Sequence, residues 1–502
     1  MENIVTGTGF KKIDECAMTK FGIPSLVLME RAALSVADFV MDTAESDTVL
    51  VAAGCGNNGA DGLAIARMLH LNGFNVKVCA LAQSSKGTEE YKTQLKMLEK
   101  MGVPFINQPS KGLTNRVVLA DALTDVDIVI DAIFGVGLSK NVEGKYAEII
   151  GLINASEVTT YSVDIASGID ADTGKVMGKA VRADYTVTFG AHKIGTALYP
   201  GADYCGDVVV ADIGYPEKVF ESAGDLLHAV DFEELDLIPS RPNYSNKGTF
   251  GKVLVIAGAR DMAGAATMCA KAAYRTGAGL VRVFTAVENR EIIQKTVPEA
   301  VLNTFDINQF DEKSLEASIN WADVICVGPG LGVGDVQKAM VEAVLESKKP
   351  CVIDADGLNS IAEHTAVKKK LHKKAIVTPH LGEMGRLLAK KVDEIQDDLI
   401  KVARDFNYKT RANVVLKDAR TIIATEDDTF VNMTGNSGMA TAGSGDVLSG
   451  ILTGLLAIGV DVKEASVLGP YVHGLAGDIC AERYSEASMM ATDMIEELAN
   501  IF

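Results

Sequence analysis

The sequence predicts an α/β protein of two domains, each a three-layer α/β/α sandwich. Three observations point there. Short β-branched runs alternate with helix-length segments from about residue 48 to residue 214. A second series of the same kind begins at Lys252 and continues to the end of the chain. Between the two, from Gly214 to Gly251, the apolar pattern weakens around Pro216, Pro239, Pro242 and the acidic run 231–236. Strands alternating with helices predict parallel sheets covered on both faces. At 502 residues the chain exceeds what one core organises. The expected division is a first domain over 1–215, a linker over 216–240 and a second domain over 241–502.

Taken in order, residues 12–42 carry apolar positions at helical spacing, and Gly22-Ile-Pro24 breaks them into two helices. Strands follow at 48–53, 75–81, 127–133, 160–165, 185–189 and 207–212, with helices at 61–72, 88–101 and 143–154. Asn243-Tyr-Ser-Asn-Lys-Gly-Thr-Phe-Gly251 then leads into a strand at 252–257. Further strands are predicted at 280–285, 323–327, 351–354, 375–378 and 413–416, with a polar hairpin at 421–432. The helices of this half fall near 263–277, 334–347, 381–389, 393–406, 446–457, 463–482 and 488–499. The halves share an architecture but no sequence period.

Composition narrows the function classes. A net charge of −19 opposes binding to nucleic acid or an anionic membrane, both of which call for basic patches. The eight cysteines are scattered, mostly in apolar runs and without a CxxC pair, which predicts buried thiols in a reducing, cytoplasmic setting. No signal-peptide pattern or membrane-length apolar run is present. The methionines and Trp321 read as packing.

Two regions carry chemistry. In Asn436-Ser-Gly-Met-Ala-Thr-Ala-Gly-Ser-Gly-Asp-Val-Leu-Ser-Gly-Ile-Leu452, four glycines surround a single acid, Asp446, and the apolar spacing starts a helix near it. Backbone N–H groups at such a helix tip bind anions, phosphate above all. Asp446 is then placed to take a proton from a hydroxyl being phosphorylated. The alternative is a glycine-rich turn with an N-cap aspartate. In the first half, the strand at 48–53 runs into Gly54-Cys-Gly-Asn-Asn-Gly-Ala-Asp-Gly62. Two more strand ends carry Asp131, before Phe134-Gly-Val-Gly-Leu-Ser139, and Asp164, before Ala166-Ser-Gly-Ile-Asp170. C-terminal strand ends of a parallel sheet converge on one crevice, so Asn58, Asp131, Asp164 and Ser167 are expected to face a common ligand. Such oxygen-rich groups suit a hard cation where one is present. Asp354 and Asp356, at another strand end, either bind ligand or metal or cap the helix that follows.

Ser162-Val-Asp-Ile-Ala-Ser-Gly-Ile-Asp170, Gly56-Asn-Asn-Gly-Ala-Asp-Gly62 and Gly22-Ile-Pro-Ser-Leu-Val-Leu-Met-Glu-Arg31 together resemble the NAD(P)H-hydrate epimerase family. The resemblance implies a Rossmann-like fold and interconversion of the R and S hydrates. It implies potassium held by Asn58, Asp131 and Ser167. It also implies a hydrate site lined by Asn57, Asn58, Gly59, Ala60 and Asp61, by Gly135, Val136, Gly137, Leu138, Ser139, Lys140 and Asn141, and by Asp164. The last is expected as the catalytic acid and base. Two positions depart from the family, Ala60 for glycine and Ala166 for proline; Ala60 is strained if its position needs positive φ.

Over 240–502, Ala272-Ala-Tyr-Arg-Thr-Gly-Ala-Gly-Leu-Val-Arg282, Gly328-Pro-Gly-Leu-Gly332, Asp354-Ala-Asp-Gly357, Thr378-Pro-His-Leu-Gly-Glu383 and 436–450 occur in one order. They resemble ADP-dependent NAD(P)H-hydrate dehydratase, a ribokinase-like family. The resemblance implies that Lys417, Asp418, Ala419, Arg420, Thr421 and Gly445 contact the adenine nucleotide. Ala265, Gly330, His380 and the catalytic Asp446 would contact the hydrate. ADP is the implied co-substrate, accompanied by magnesium. Asp418 departs from the family's glycine, and an acid there must point away from the phosphates or hold magnesium. The combined expectation is an isomerase and lyase in one chain, with NAD(P)H hydrates and ADP as its ligands and a homo-oligomer as its assembly. The alternative is a ribokinase-like small-molecule kinase with a regulatory or NAD-binding N-terminal module.

Overall fold

The computed structural model describes residues 2–111 and 116–502. It separates into two compact units, Glu2–Leu227 and His228–Phe502.

In the N-terminal unit, helices Gly7–Thr19 and Ser25–Thr43 flank the Gly22-Ile23-Pro24 break. Thr6 caps the first, its Oγ1 accepting from Gly9 N at 2.8 Å. Six parallel strands follow in the order Asn75–Ala80, Thr48–Ala53, Ile128–Ala132, Thr159–Val163, Tyr185–Phe189, Asp207–Ala211. The period of two divides each strand between opposite layers. Val49, Val51 and Ala53 enter the core beneath the first two helices, whereas Leu50 and Ala52 join Leu119, Ile149 and Ile150 on the other face. The chain leaves Thr48–Ala53 toward one edge and returns to build Ile128–Ala132 on its other side. The sheet therefore has its switch point between those two strands, where a ligand crevice forms. Close approach fixes the loop there. A Cβ on Gly54 would lie 2.1 Å from the Ile133 carbonyl oxygen, and one on Gly59 2.0 Å from that of Gly54.

The C-terminal unit carries the strand order Val301–Phe305, Leu280–Ala286, Lys252–Ile256, Val324–Val327, Cys351–Ile353, Ala375–Val377, Asn413–Leu416, Thr421–Ala424, Thr429–Asn432. It is parallel through Asn413–Leu416 and antiparallel over the last two pairs. Helix Ser444–Ala457 packs on helix Ala263–Arg275 at small residues. Gly450 lies so close that a Cβ would meet the Cys269 carbonyl oxygen at 2.4 Å.

Several elements differ from the sequence expectation. The segment 216–240 is not a free linker. It forms 3-10 turns at Glu217–Ser222 and Phe232–Leu237 and a strand at Leu226–Ala229. Val219 and Ala223 are buried in the N-terminal core, and Leu235 and Ile238 pack on the C-terminal one. Sparse apolar residues suffice when both cores are already built. The hairpin at 421–432 is buried, not polar, because it adds two interior strands whose polar groups are satisfied. Asn432 Nδ2 donates to the Pro470 carbonyl at 3.2 Å, and Arg404 Nε donates to Thr429 Oγ1 at 2.7 Å. The helix expected over 393–406 is two, Val392–Gln396 and Leu399–Thr410, because Asp398 caps the second through Lys401 N. Helices Arg116–Leu123 and Glu312–Trp321 were not anticipated, and the helix expected after Asp354 and Asp356 runs over Asp356–Glu363. Among the described residues, no helix is long and apolar enough to cross a membrane.

Candidate active sites

At the switch point of the N-terminal sheet lies a cavity of about 600 Å³. Asn57, Asn58, Ala60 and Asp61 line it from the helix Asn57–Leu71. Gly135, Val136, Gly137, Leu138, Ser139 and Lys140 line it from the loop after Ile128–Ala132, and Asp164 from the end of Thr159–Val163. Gly59 turns inward against Gly54, and Asn141 is exposed. Ala60 is buried in a helical turn and is absent from the positive-φ residues, so its methyl group causes no strain.

Asp131 and Ser167 lie beneath the cavity, not in its wall. The Asp131 carboxylate accepts from Ser162 Oγ at 2.7 Å, Ser167 N at 2.9 Å, Ser167 Oγ at 2.6 Å and Ile133 N at 3.3 Å. Burial raises its pKa, and the bonds from Ser167 and Ser162 oppose that. The expected common ligand-facing set is therefore corrected: Asn58 and Asp164 face the cavity, while Asp131 and Ser167 brace its floor. Asn58 stands out because its Oδ1 and Nδ2 are buried with no hydrogen-bond partner. An orphaned amide of this kind calls for a ligand.

Asp164 occupies φ +71°, a left-handed conformation costing roughly 1–3 kcal/mol in a residue with a side chain. Its amide donates to the Val187 carbonyl at 2.8 Å, and its Oδ1 accepts from Lys193 Nζ at 2.5 Å. Around the same cavity stand three further acids, Asp14, Asp61 and Glu90. Asp61 is pushed well upward by burial and by the charges of Asp164, Asp14 and Glu90. Asp14 is raised by burial while Tyr215, hydrogen-bonded to it, pulls the other way. Lys193, Asp14 and Tyr215 escaped the sequence reading. The signal for Lys193 was available: it follows the next strand end, Phe189-Gly190, in the same parallel sheet. Asp14 and Tyr215 had none, because only tertiary folding brings residues 201 positions apart together.

In the C-terminal unit, helix Ser444–Ala457 begins after Gly443, whose φ of +94° gives the tight entry. Asp446 lies in its first turn and is not the N-cap, which removes the turn-and-cap alternative. Burial, then Asp354, raises the Asp446 carboxyl to about 7, with Lys417 opposing. Asp354 connects the elements beneath it, accepting from Lys417 Nζ at 2.9 Å and from Ser449 Oγ at 2.8 Å. A Cβ on Gly445 would lie 3.2 Å from Lys417 Nζ, so lysine and helix tip share one spot.

Lys417 arrives there because its N–H donates to the Pro379 carbonyl at 2.8 Å, bringing in His380 alongside. His380 Nδ1 accepts from Gly382 N at 3.0 Å, capping its own helix. Gly330 and Ala265 meet, with a Cβ on Gly330 falling 3.0 Å from Ala265 Cβ. Asp356 accepts from Gly332 N at 2.8 Å and so holds the 328–332 loop; the following helix takes no side-chain cap from Asp354 or Asp356. Asp418 and Ala419 are exposed in the turn after Lys417, and Arg420 is tied to the Met433 carbonyl before Thr421 opens the next strand.

Comparison with known proteins divides the chain in the same way. Residues 253–500 match the family described as NAD(P)H-hydrate dehydratase, and residues 25–195 match the YjeF-related protein N-terminus. A bifunctional NAD(P)H-hydrate repair enzyme of Thermofilum pendens is 37% identical over 97% of this chain and 94% of its own. That of Moorella thermoacetica is 36% identical over 99% and 96%. Among solved structures, the ADP/ATP-dependent NAD(P)H-hydrate dehydratase of Bacillus subtilis, co-crystallised with ATP/Mg2+, is 28% identical with a TM-score of 0.48, covering 53% of this chain and 94% of that one. The reading as a small-molecule kinase with a regulatory module gives way to these full-length relatives. With both halves matched along nearly the whole length, this chain belongs to the family of bifunctional NAD(P)H-hydrate repair enzymes.

Proposed function

We propose that the N-terminal cavity epimerises the hydrates and that the Asp446 centre dehydrates the S form with ADP. Hydrated NAD(P)H carries a hydroxyl on a ring carbon next to nitrogen, and the nitrogen lone pair helps expel it. In the N-terminal cavity Asp164 protonates the leaving oxygen and then accepts a proton from water returning on either face.

Asn58, Asp131 and Ser167 would hold a potassium ion; the fit rests on the orphaned Asn58 amide, with the Asp131 carboxylate and the Ser167 hydroxyl, bonded to each other, as the further oxygens. A potassium ion held by these residues would supply a fixed positive charge to the cavity.

At the second centre, Asp446 takes the proton of the ring hydroxyl as its oxygen bonds to the terminal phosphorus of ADP and the phosphorus–oxygen bond to AMP breaks. The phosphate ester then leaves as the ring nitrogen pushes, and loss of a proton from the adjacent carbon restores NAD(P)H, leaving AMP and phosphate. Lys417 and the amides at Gly445 face the transferring group. Arg420 and Thr421, with Asp418 and Ala419 at the turn, would flank the nucleotide; Ala265, Gly330 and His380 would flank the hydrate. Magnesium would accompany the nucleotide phosphates, since Asp354 and Asp356 are engaged by protein donors.

The observation that carries this reading is the raised Asp446 carboxyl at a helix tip beside the ion pair of half-buried Lys417 with buried Asp354. Incubating the hydrate with the protein and ADP tests it: reduced dinucleotide should reappear with ADP and fail to reappear without nucleotide. A homo-oligomer in the cytoplasm completes the proposal, which sedimentation and fractionation would check.

A further inference from the structure

We propose that Lys193 is the positioning residue of the epimerase cavity, holding Asp164 by one oxygen so that the other alone meets the substrate. The inference rests on Asp164 being the proton-transfer group. Lys193 is wholly buried, and its ammonium makes three contacts with acceptors. It donates to Asp164 Oδ1 at 2.5 Å, to Thr188 Oγ1 at 2.9 Å and to the Phe189 carbonyl at 3.1 Å. The Phe10 ring covers it at 3.7 Å, sealing the ammonium from water. Thr188 Oγ1 also reaches Asp164 Oδ1, at 3.3 Å. Both bonds accepted by the carboxylate therefore fall on Oδ1, leaving Oδ2 for a ligand.

A buried ion pair is a weak device for stability alone, because desolvating both charges offsets most of their attraction. Here it stands against a carboxylate whose backbone is itself strained, the signature of a position held for function. The surrounding charges give the pair a task. Asp14 from helix Gly7–Thr19, Asp61 and Glu90 face the same cavity, with Tyr215 beside Asp14 and Cys205 behind. Lys11 and Lys140 also line it, on exposed side chains. Burial lowers Lys193 while Asp164 and Asp14 support its charge. Among these acids, Asp164 is the one whose carboxylate the buried Lys193 ammonium grips.

The test uses the full chain and follows interconversion of separated R and S hydrates across pH. Lys193→Met should cut kcat at least tenfold with KM little changed, and move the alkaline limb of the profile, where Asp164 loses the proton it gives to the leaving oxygen, upward by about one pH unit or more. Lys193→Arg, which keeps the charge, should restore the limb. Hydrate binding by Lys193→Met establishes that its cavity is formed. If it is not, Thr188→Val removes one acceptor and should move the limb in the same direction by less. Unchanged limbs in both folded variants, or a loss in Lys193→Met equal at every pH, overturn the positioning role. Asp164→Asn separates the two readings. If it still epimerises, the proton-transfer assignment fails; if it is inactive while the Lys193→Met limb stays put, only the positioning role fails.

Discussion

Replacing Asp446 by asparagine keeps the shape of the helix tip and removes its one proton acceptor. The carboxyl titrates at about 7 against an ordinary 3.8, chiefly through burial, then through Asp354, with Lys417 opposing and Asp356 adding. Two consequences have definite signs. Only the ionised form accepts a proton, so kcat/KM of the parent for dehydration should fall about tenfold per pH unit below roughly 7 and level off above it. General-base catalysis contributes about 10²–10⁴-fold, and Asp446→Asn should lose that much at pH 8 while epimerisation continues. Stability moves the other way. A carboxyl whose folded pKa is raised favours the fold while protonated, and that contribution is lost as pH rises from about 4 through 7. A shift of roughly 3 units corresponds to at most about 4 kcal/mol, and to about 2 kcal/mol once screening at a part-exposed site is allowed for. Asp446→Asn should therefore melt higher than the parent at pH 8 and close to it at pH 4. Recovery of reduced-dinucleotide absorbance and thermal melting at the two pH values measure both effects. Parent-like dehydration by Asp446→Asn at pH 8, or a parent profile flat between pH 6 and 8, would refute the assignment.

Other expectations concern the supporting groups. Lys417→Met strands the buried Asp354 carboxylate, so about 3–5 kcal/mol of stability should be lost in chemical denaturation, together with a higher KM for ADP. Gly450→Ala drives a methyl group into the Cys269 carbonyl across the helix pair and should cost about 1–3 kcal/mol, read as a lower melting temperature. Asn58→Leu removes the orphaned amide; epimerisation should lose its response to added potassium, while ADP-dependent dehydration of the S hydrate stays at the parent rate. Asp131→Asn breaks an acceptor of four buried or part-buried bonds and should lower stability by about 2 kcal/mol or more, with the epimerase half failing first on heating.

The local pattern made much of this molecule legible. Glycines before an apolar helical stretch placed a helix start near Asp446, two residues inside the observed start at Ser444, because helix entry depends on a few neighbouring residues. Strand ends at Asp131 and Asp164, and the glycine loop before Asn58, were readable for the same reason. Edge strand Val301–Phe305 and the buried hairpin strands were misread or missed, since their polar residues acquire partners such as Pro470 only from the opposite side of the core. Which acid faces the cavity was likewise decided in three dimensions. Asp131 and Asp164 look alike in sequence, yet one is saturated by two serines and the other is gripped by a lysine 29 residues away. Sequence alone determined the two α/β halves and the family. Tertiary structure alone decided the ionisation of each carboxyl, because burial and the distance to an opposing charge are properties of the packed chain, not of its neighbours along it.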